Sequence, residues 1–253
     1  MSSRRIEDGR LVRGEDDTLN ELDENAIEAA VSLVEEVGGE VIAVTMGPDD
    51  AEDSAMLALQ KGADRAIVIS DERLAGSDVI GTAHVLAAAA RALAHDDAGS
   101  EEPIDLILTG MASLDGMTSM LPAALAAALE WPVLGLAHSL SVTDGRVRIE
   151  KSADGFDDTL AVELPAVVSV TDQVNEPRYP NFKDMKAARS KPLDVWSLDD
   201  LAEYLGDAPV GTDGAAVQIV SAEAQPERER GTVIPDSGNA ADVLVDYLRE
   251  VIQ

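Results

Sequence analysis

Residues 41–69, VIAVTMGPDDAEDSAMLALQKGADRAIVI, decide the fold of this chain. Two short apolar runs, at residues 41–44 and 66–69, flank a stretch from 51 to 61 whose apolar residues recur at helical spacing. Gly62 follows that stretch, at the position where a glycine commonly ends a helix. Strand, helix and strand in this order predict a βαβ unit, whose two strands lie parallel in one sheet.

The same alternation of strand and helix continues on both sides of this unit. Apolar spacing predicts helices over 23–37, 77–94 and 118–129, and buried strands over 104–108 and 166–170. Continuous apolar strands separated by helices are typical of a parallel sheet that helices cover on both faces. We therefore predict an α/β fold with a doubly wound, mainly parallel sheet.

The pattern of apolar residues changes after residue 132. Short alternating segments at 137–142, 147–149 and 159–163 predict antiparallel strands that form a hairpin addition. Between 172 and 194 no period is visible, and residues 206–238 have the composition of a linker before a final amphipathic helix over 240–252. We predict a core domain over 1–194, which includes a loop at 172–194, and a C-terminal arm over 195–253.

The charge of the chain limits its partners. It carries 49 acidic and 19 basic residues, for a formal net charge of −30. Because a polyanion is bound through Lys and Arg, this balance argues against nucleic acid as a partner. The acids are scattered and would repel one another strongly at low ionic strength, which favours a surface adapted to high salt. Ordinary solubility charge is the alternative.

The chain contains no cysteine. Disulfides, thiolate nucleophiles and thiolate-ligated metal clusters are thereby excluded, so that any redox chemistry needs a bound cofactor. His84, His95 and His138 lack the spacing of metal ligands, and no metal site or catalytic group is predicted. The sequence shows no signal peptide and no apolar run that could span a bilayer, so we expect a cytoplasmic protein without direct membrane insertion.

Three motifs occur in order along the chain: GADR at 62–65, LTG at 108–110 followed by DGMT at 115–118, and NEPRYP at 175–180. Over about residues 6–196 the chain resembles the beta subunit of the electron transfer flavoproteins, and NEPRYP is the most specific of the three motifs. The high-salt composition adds the expectation of a halophilic archaeal type. The resemblance implies an adenine nucleotide alpha hydrolase-like fold.

A turn between a predicted strand and a predicted helix is a candidate phosphate site, because unpaired N–H groups and the helix dipole favour an anion there. The resemblance implies that this turn binds the phosphate of AMP, or, in the branch of the family that bifurcates electrons, helps to hold a second FAD. Simple capping of the helix is the alternative. Met117 and Met120 stand where the family usually has polar residues. The residues of the turn are Asp115, Gly116, Met117, Thr118 and Ser119.

Two further positions, Asn20 and Met46, match places where the family contacts the nucleotide. Asn20 also precedes a predicted helix, so a capping role stays open beside the ligand role. For Met46, core packing is the interpretation that the residue type favours. Leu22 stands where the family often has an aromatic residue near the partner's flavin, and burial is favoured for it.

A basic cluster stands out in this acidic chain between residues 178 and 191. Such a cluster is usually a solvated face. The resemblance assigns the segment to a recognition loop that docks on partner dehydrogenases through an exposed apolar anchor, and Phe182 stands at the anchor position. The residues expected to take part in docking are Arg178, Tyr179, Phe182, Lys183 and Lys186.

The resemblance implies that the chain is the small beta subunit of a heterodimer. A larger alpha subunit would hold most of the FAD, accept electrons from acyl-CoA and similar dehydrogenases, and pass them to a quinone oxidoreductase. The chain would bind AMP and carry no catalytic residues of its own. Two alternatives stay open: a stand-alone, universal-stress-type adenine-nucleotide-binding homodimer, and the beta subunit of a bifurcating flavoprotein.

One departure from the family concerns the start of the chain. The family normally has a buried strand ahead of the residues that match RIEDG at 5–9, and Met1 falls after the place where that strand would end. Loss of a strand would expose sheet edges and core surface. The native protein is therefore expected to contain residues upstream of Met1.

Overall fold

The computed structural model describes residues 6–7, 10–13, 19–95, 103–114, 116–221, 226, 231, 233 and 238–252. The chain divides into two compact units, the first ending at Val220 and the second beginning at Ser221. In the described ranges, no helix is both long enough and apolar enough to cross a membrane.

The first unit alternates helices and strands over most of its length. Its helices are α1 (Glu21–Val37), α2 (Ala51–Lys61), α3 (Val79–Leu93), α4 (Leu121–Leu129), α5 (Phe182–Ala188), α6 (Ala202–Leu205) and α7 (Gly211–Gly214). Its strands are β1 (Ile6–Glu7), β2 (Arg10–Leu11), β3 (Ile42–Met46), β4 (Arg65–Ile69), β5 (Leu106–Thr109), β6 (Val133–Ala137), β7 (Ser139–Thr143), β8 (Arg146–Ala153), β9 (Phe156–Glu163), β10 (Ala166–Val170) and β11 (Leu193–Trp196).

Two three-stranded parallel sheets form the centre of this unit, with strand orders β11-β4-β3 and β5-β10-β6. Strands β7, β8 and β9 form an antiparallel sheet, and β1 pairs with β2. The predicted α/β fold with mainly parallel strands and an antiparallel addition is therefore confirmed. The parallel strands are divided over two sheets, and the addition has three strands.

Helices on both faces join the two parallel sheets. Alternate residues of β4 point to opposite sides, with Val68 packed against Val31 of α1 and Ile67 packed among residues of α3 such as Val85. Strand β10 is completely buried in the same two-sided way, and α1 and α3 also contribute to the clusters on its two sides. This double covering explains why the parallel strands read as continuous apolar runs.

The structure corrects the sequence-based expectation in several places. Strand β6 was not predicted as a separate element, and helix α4 begins at Leu121 rather than at residue 118. The segment from 172 to 194, predicted to be irregular, contains α5 and the first residues of β11. In the predicted linker over 206–238, residues up to Val220 belong to the first unit, and the N–H of Gly211 in α7 donates to Ser77 Oγ at 2.8 Å.

The second unit contains helix α8 (Ala240–Val251). Its apolar stripe, formed by Leu244, Tyr247, Leu248 and Val251, is exposed. The predicted division of the chain after residue 194 stays a prediction. Leu198 and Leu201, which lie beyond it, are buried in the core of the first unit.

Candidate functional site

The turn between β5 and α4 has an unusual backbone. Two of its non-glycine residues have positive φ angles, Met117 at 47° and Ser119 at 54°. Such angles are uncommon for residues with a Cβ atom, and they occur in turns and at helix ends as well as at ligand sites. The handedness of the backbone thus alternates across residues 117–119, which is the kind of turn that forms a concave surface of N–H groups.

The donors of this turn are available to a ligand. In the part of the chain that the structure describes, the N–H groups of Ser119 and Leu121 donate to no protein acceptor. Met120 occupies the N-cap position of α4, and its side chain makes no capping hydrogen bond. The hydroxyl of Thr118 instead accepts a long hydrogen bond, 3.4 Å, from the N–H of Met120. An anion at this helix end would satisfy donors that the protein leaves open.

The side chains of the turn are less polar than its backbone. Met117 and Met120 are exposed, and a Cβ atom at Gly116 would meet only Ser113 Oγ, at 3.4 Å. Asp115, which was predicted to take part in this site, lies outside the described residues. The turn can therefore hold a phosphate mainly through backbone N–H groups and the hydroxyls of Thr118 and Ser119.

Asn20 connects this turn to α1. Its Oδ1 accepts from the N–H of Leu22 at 3.2 Å, which makes Asn20 the N-cap of α1, and its Nδ2 donates to the carbonyl of Ala112 at 2.7 Å. The capping role that the sequence left open is therefore present, together with a contact to the candidate phosphate turn. Met46 packs against the core cluster that contains Ile69, which is the packing that its residue type favours.

The predicted recognition loop presents two exposed aromatic side chains. Tyr179 is 94% exposed and Phe182 is 80% exposed. Phe182 is the first residue of α5, which begins with a capping box. The side chain of Asn181 accepts from the backbone N–H of Asp184, and the side chain of Asp184 accepts from the backbone N–H of Asn181. The side chain of Phe182 is thus outside the core, at the start of a short, well-capped helix.

The basic residues of this segment fall into two groups. Lys191 donates to the carbonyl oxygens of Leu59 and Ala63, at 3.1 and 2.6 Å, and so satisfies acceptors at the end of α2. Arg178 is likewise bound within the protein, as described next. Lys183, Lys186 and Arg189 are exposed and form the basic side of α5.

Arg178 is held by two glutamates of α1. Glu28 Oε2 accepts from the backbone N–H of Arg178 at 2.9 Å and from its Nε at 2.8 Å, while Oε1 accepts from Nη2 at 3.0 Å. Glu35 accepts from Nη1 and Nη2 at 2.8 and 3.0 Å. One guanidinium is therefore bound by two carboxylates about two helical turns apart on α1.

These contacts lower the pKa values of both glutamates. Burial raises the pKa of Glu28, but the hydrogen bonds from Arg178 and Ser32 outweigh burial, and the pKa lies below its usual value of 4.5. Hydrogen bonds from Arg178 lower the pKa of the exposed Glu35. The same partners raise the pKa of Arg178. All three groups are therefore charged at neutral pH.

Two more residues, which sequence reasoning missed, fasten the loop. Asn25, which is buried, donates from Nδ2 to the carbonyl and the side-chain oxygen of Asn175, and Asn175 Nδ2 donates back to the carbonyl of Asn25 at 3.0 Å. Lys61, also buried, donates to the carbonyl of Arg178 and pairs with Glu24, both at 2.8 Å. For the residues of α1 that bind the loop, the sequence does contain a signal. It is a second, polar stripe at helical spacing, formed by Asn25, Glu28, Ser32 and Glu35.

An open cleft of about 600 Å³ separates the start of α1 from residues 172–179. Leu22 lines it and is half-buried, next to several carboxylates. Tyr179 stands at its rim, with Lys61 Nζ 5.9 Å from the centre of the ring. Among the described residues, no group of His, Asp and Glu side chains is arranged to hold a metal ion.

The chain is similar to known proteins over most of its length. The family described as "Electron transfer flavoprotein domain" matches residues 8–201. An electron transfer flavoprotein subunit beta from Mycobacterium leprae is 34% identical over 98% of this chain and 92% of the relative. The subunit beta of Megasphaera elsdenii is 31% identical over 91% and 84%. Subunit CarD of the caffeyl-CoA reductase-Etf complex of Acetobacterium woodii is 28% identical over 96% and 90%.

Proposed function

Since the chain belongs to the electron transfer flavoprotein family, among the relatives of its beta subunits, we propose that it forms a heterodimer with a larger alpha subunit that holds most of the FAD. The relatives are named as subunits of electron transfer flavoproteins, which are electron carriers. The chain is accordingly a carrier subunit and not an enzyme. A cytoplasmic location, which the sequence predicts, is part of this proposal.

We propose AMP as the ligand of this chain, with its phosphate at residues 116–119. The open N–H groups of Ser119 and Leu121 and the positive φ angles of the turn support this assignment. A second flavin at the same turn would instead place the chain in an electron-bifurcating carrier. The exposed methionines 117 and 120 supply no hydrogen bonds to a flavin, which favours AMP.

The recognition loop is proposed to dock on the partner dehydrogenases. The single observation behind this proposal is that Tyr179 and Phe182, three residues apart, are both exposed in a segment that is hydrogen-bonded to α1. Aromatic side chains that enter a partner's pocket supply much of the affinity in protein interfaces. The partners in this proposal are acyl-CoA and similar dehydrogenases, and the alpha subunit's flavin passes the electrons to a quinone oxidoreductase.

Helix α8 is proposed as an arm that binds the alpha subunit. Six apolar residues of this helix and its end are exposed, and an amphipathic helix of this kind is stable when a partner covers its stripe. The exposed residues are Leu244, Val245, Tyr247, Leu248, Val251 and Ile252.

We also propose that the carrier works at high salt, as in a halophilic archaeon. The net charge of −30 supports this, and two of the five lysines, Lys61 and Lys191, bind groups inside the protein and do not offset the surface acids. Screening at high ionic strength relieves the repulsion between those acids.

Co-expression with the alpha subunit tests the proposal. We expect a one-to-one complex that is yellow from FAD, and denaturation should release one FAD and one AMP. The chain expressed alone should be colourless. Two flavins per heterodimer would identify a bifurcating carrier, and a flavin-loaded homodimer of this chain would contradict the assignment to a beta subunit.

A further inference from the structure

Arg178 was expected to bind a partner, but its charged guanidinium is bound within this chain. Its guanidinium makes four hydrogen bonds to Glu28 and Glu35, all between 2.8 and 3.0 Å, and its side chain is only 33% exposed. A partner's carboxylate would have to displace one of these two glutamates. The surplus positive charge for a partner lies instead on Lys183, Lys186 and Arg189.

The backbone beside Arg178 is bound as firmly as its side chain. The N–H of Arg178 donates to Glu28, its carbonyl accepts from Lys61, and the preceding Asn175 exchanges hydrogen bonds with Asn25. Backbone groups on both sides of the peptide at 178 are thus fixed to α1 and α2. The next residue, Tyr179, is almost fully exposed.

We propose that Arg178, Glu28 and Asn25 are positioning residues, which hold the recognition loop in the conformation that presents Tyr179 and Phe182 to a partner. The inference rests on the docking role proposed above. A loop that is already ordered loses less conformational entropy on binding, so that more of the contact energy appears as affinity. Because the Arg178–Glu28 ion pair is partly buried and in direct contact, salt screens it much less than it screens an exposed pair.

This role differs measurably from direct contact. If Arg178 acts through Glu28, then removing either partner releases the same loop, and the effects of the two changes do not add. If Arg178 instead contacts the partner directly, the effect of changing Arg178 adds to the effect of changing Glu28. The docking of the Arg178 variant then depends less on salt than the docking of the wild type. The loop itself reports on the role without any partner, through hydrogen exchange of its amides.

The experiment uses the FAD-loaded heterodimer and an acyl-CoA dehydrogenase as electron donor. The variants are Glu28→Gln, Arg178→Gln and the two combined. Glu36→Gln is the control, because it removes the same charge from an exposed position of α1. Glu35→Gln, at the exposed partner of Arg178, gives a milder variant in case Arg178→Gln does not fold. For each we measure amide exchange over residues 175–182, and KM and kcat at several KCl concentrations.

We expect Glu28→Gln and Arg178→Gln each to raise KM by about tenfold, and the double variant to raise it by about tenfold rather than a hundredfold. Amide exchange in the loop should become faster, with kcat and the salt dependence of KM unchanged. Additive effects, a flatter salt dependence for Arg178→Gln, or faster exchange with KM unchanged would each overturn the positioning role. Failure of the docking function itself is recognised separately, because Phe182→Ala would then leave KM unaltered.

Discussion

The carboxylate of Asp23 accepts a hydrogen bond of 3.2 Å from the backbone N–H of Gly110, and this contact joins the first turn of α1 to the end of β5. The two segments are so close that a Cβ atom at Gly110 would lie 2.6 Å from Asp23 Oδ1 and 2.8 Å from the carbonyl of Leu22. Gly110 is therefore required by close packing. The segment between β5 and the candidate phosphate turn starts at this residue, and α1 contacts it there.

Gly110→Ala should push α1 away from the turn. We expect a loss of about 1–3 kcal/mol in the free energy of unfolding, as for other insertions into a packed site, together with weaker retention of AMP. Denaturant unfolding of the heterodimer and nucleotide analysis after dialysis measure the two effects. Gly135→Ala is the control, since its Cβ atom would lie at an ordinary distance of 3.6 Å from Ser169 Oγ. Equal stability of the two variants would contradict the close packing.

Asp78 fastens the segment after α7 to the start of α3. One carboxylate oxygen accepts from the N–H groups of Ile80 and Gly81, and the other accepts from Ala216 and Val217. Asp78→Asn keeps one acceptor but turns an N–H₂ group toward the other pair of donors. We expect amide exchange at 216 and 217 to become about fivefold faster, because loss of a hydrogen bond of about 1 kcal/mol favours opening.

Asp213→Asn serves as the control for Asp78→Asn, since it removes the same charge from an exposed position in α7, just before that segment. Exchange at 216 and 217 should be unchanged in this control. If both variants exchange alike, the carboxylate of Asp78 does not hold the segment.

Acid should release the recognition loop. The pKa values of Glu28 and Glu35 lie below the usual 4.5 in the folded protein, so the unfolded chain binds protons first as the pH falls. The stability that these carboxylates contribute is complete above the unfolded pKa and is lost as the pH falls through the folded pKa. Denaturant titrations from pH 7 to pH 3 should show a steeper loss below about pH 4.5 in the wild type than in a Glu28→Gln/Glu35→Gln variant. Parallel curves would contradict this prediction.

The sequence predicts regular elements best where apolar spacing and a stop signal agree. Helix α2 was predicted at its observed bounds because its period ends at Lys61, before Gly62. Strand β10 was predicted because four of its five residues are apolar, and all five are buried. Strand β6 was missed because it contains Gly135 and Leu136, the latter at a φ of 62°. Helix α5 has only seven residues, too few for a visible period.

The anchoring of the recognition loop could not be read from the sequence for a different reason. Asn25 and Asn175, and likewise Glu28 and Arg178, are 150 positions apart. Only the parallel order of the strands brings α1 beside the segment after β10. A polar stripe on α1 reads as a solvated face until the fold shows what covers it.

Stability should rise with salt. A net charge of −30 destabilises the folded chain through repulsion, and the Debye length falls from about 10 Å at 0.1 M salt to about 3 Å at 1 M. We expect the melting temperature of the heterodimer to increase between 0.1 and 2 M KCl. A variant with the exposed Glu36, Glu40 and Glu203 changed to Gln should gain less from the salt. A melting temperature independent of KCl would support ordinary solubility charge.

Docking at high salt should depend on an apolar anchor more than on charge. Phe182 is 80% exposed at the start of α5, and Lys183 and Lys186 are exposed beside it. At about 1 M salt the lysines act only through direct contact, whereas burial of an aromatic ring in a pocket is not screened. If Phe182 enters a partner pocket, Phe182→Ala should cost about 2 kcal/mol, or roughly thirtyfold in affinity.

The matched variant for Phe182→Ala is Lys183→Gln/Lys186→Gln, which should cost no more than about 1 kcal/mol and less as salt rises. Electron transfer from the dehydrogenase to the heterodimer, measured at a series of dehydrogenase concentrations and at working salt, gives the affinity loss of each variant. Bound FAD and circular dichroism show whether each variant is intact. The Phe182 side chain makes no contribution to the core, so Phe182→Ala should leave the melting temperature unchanged. A folded, flavin-loaded Phe182→Ala that transfers electrons as well as the wild type would remove Phe182 as the anchor, whereas a larger loss in the lysine variant would make docking electrostatic.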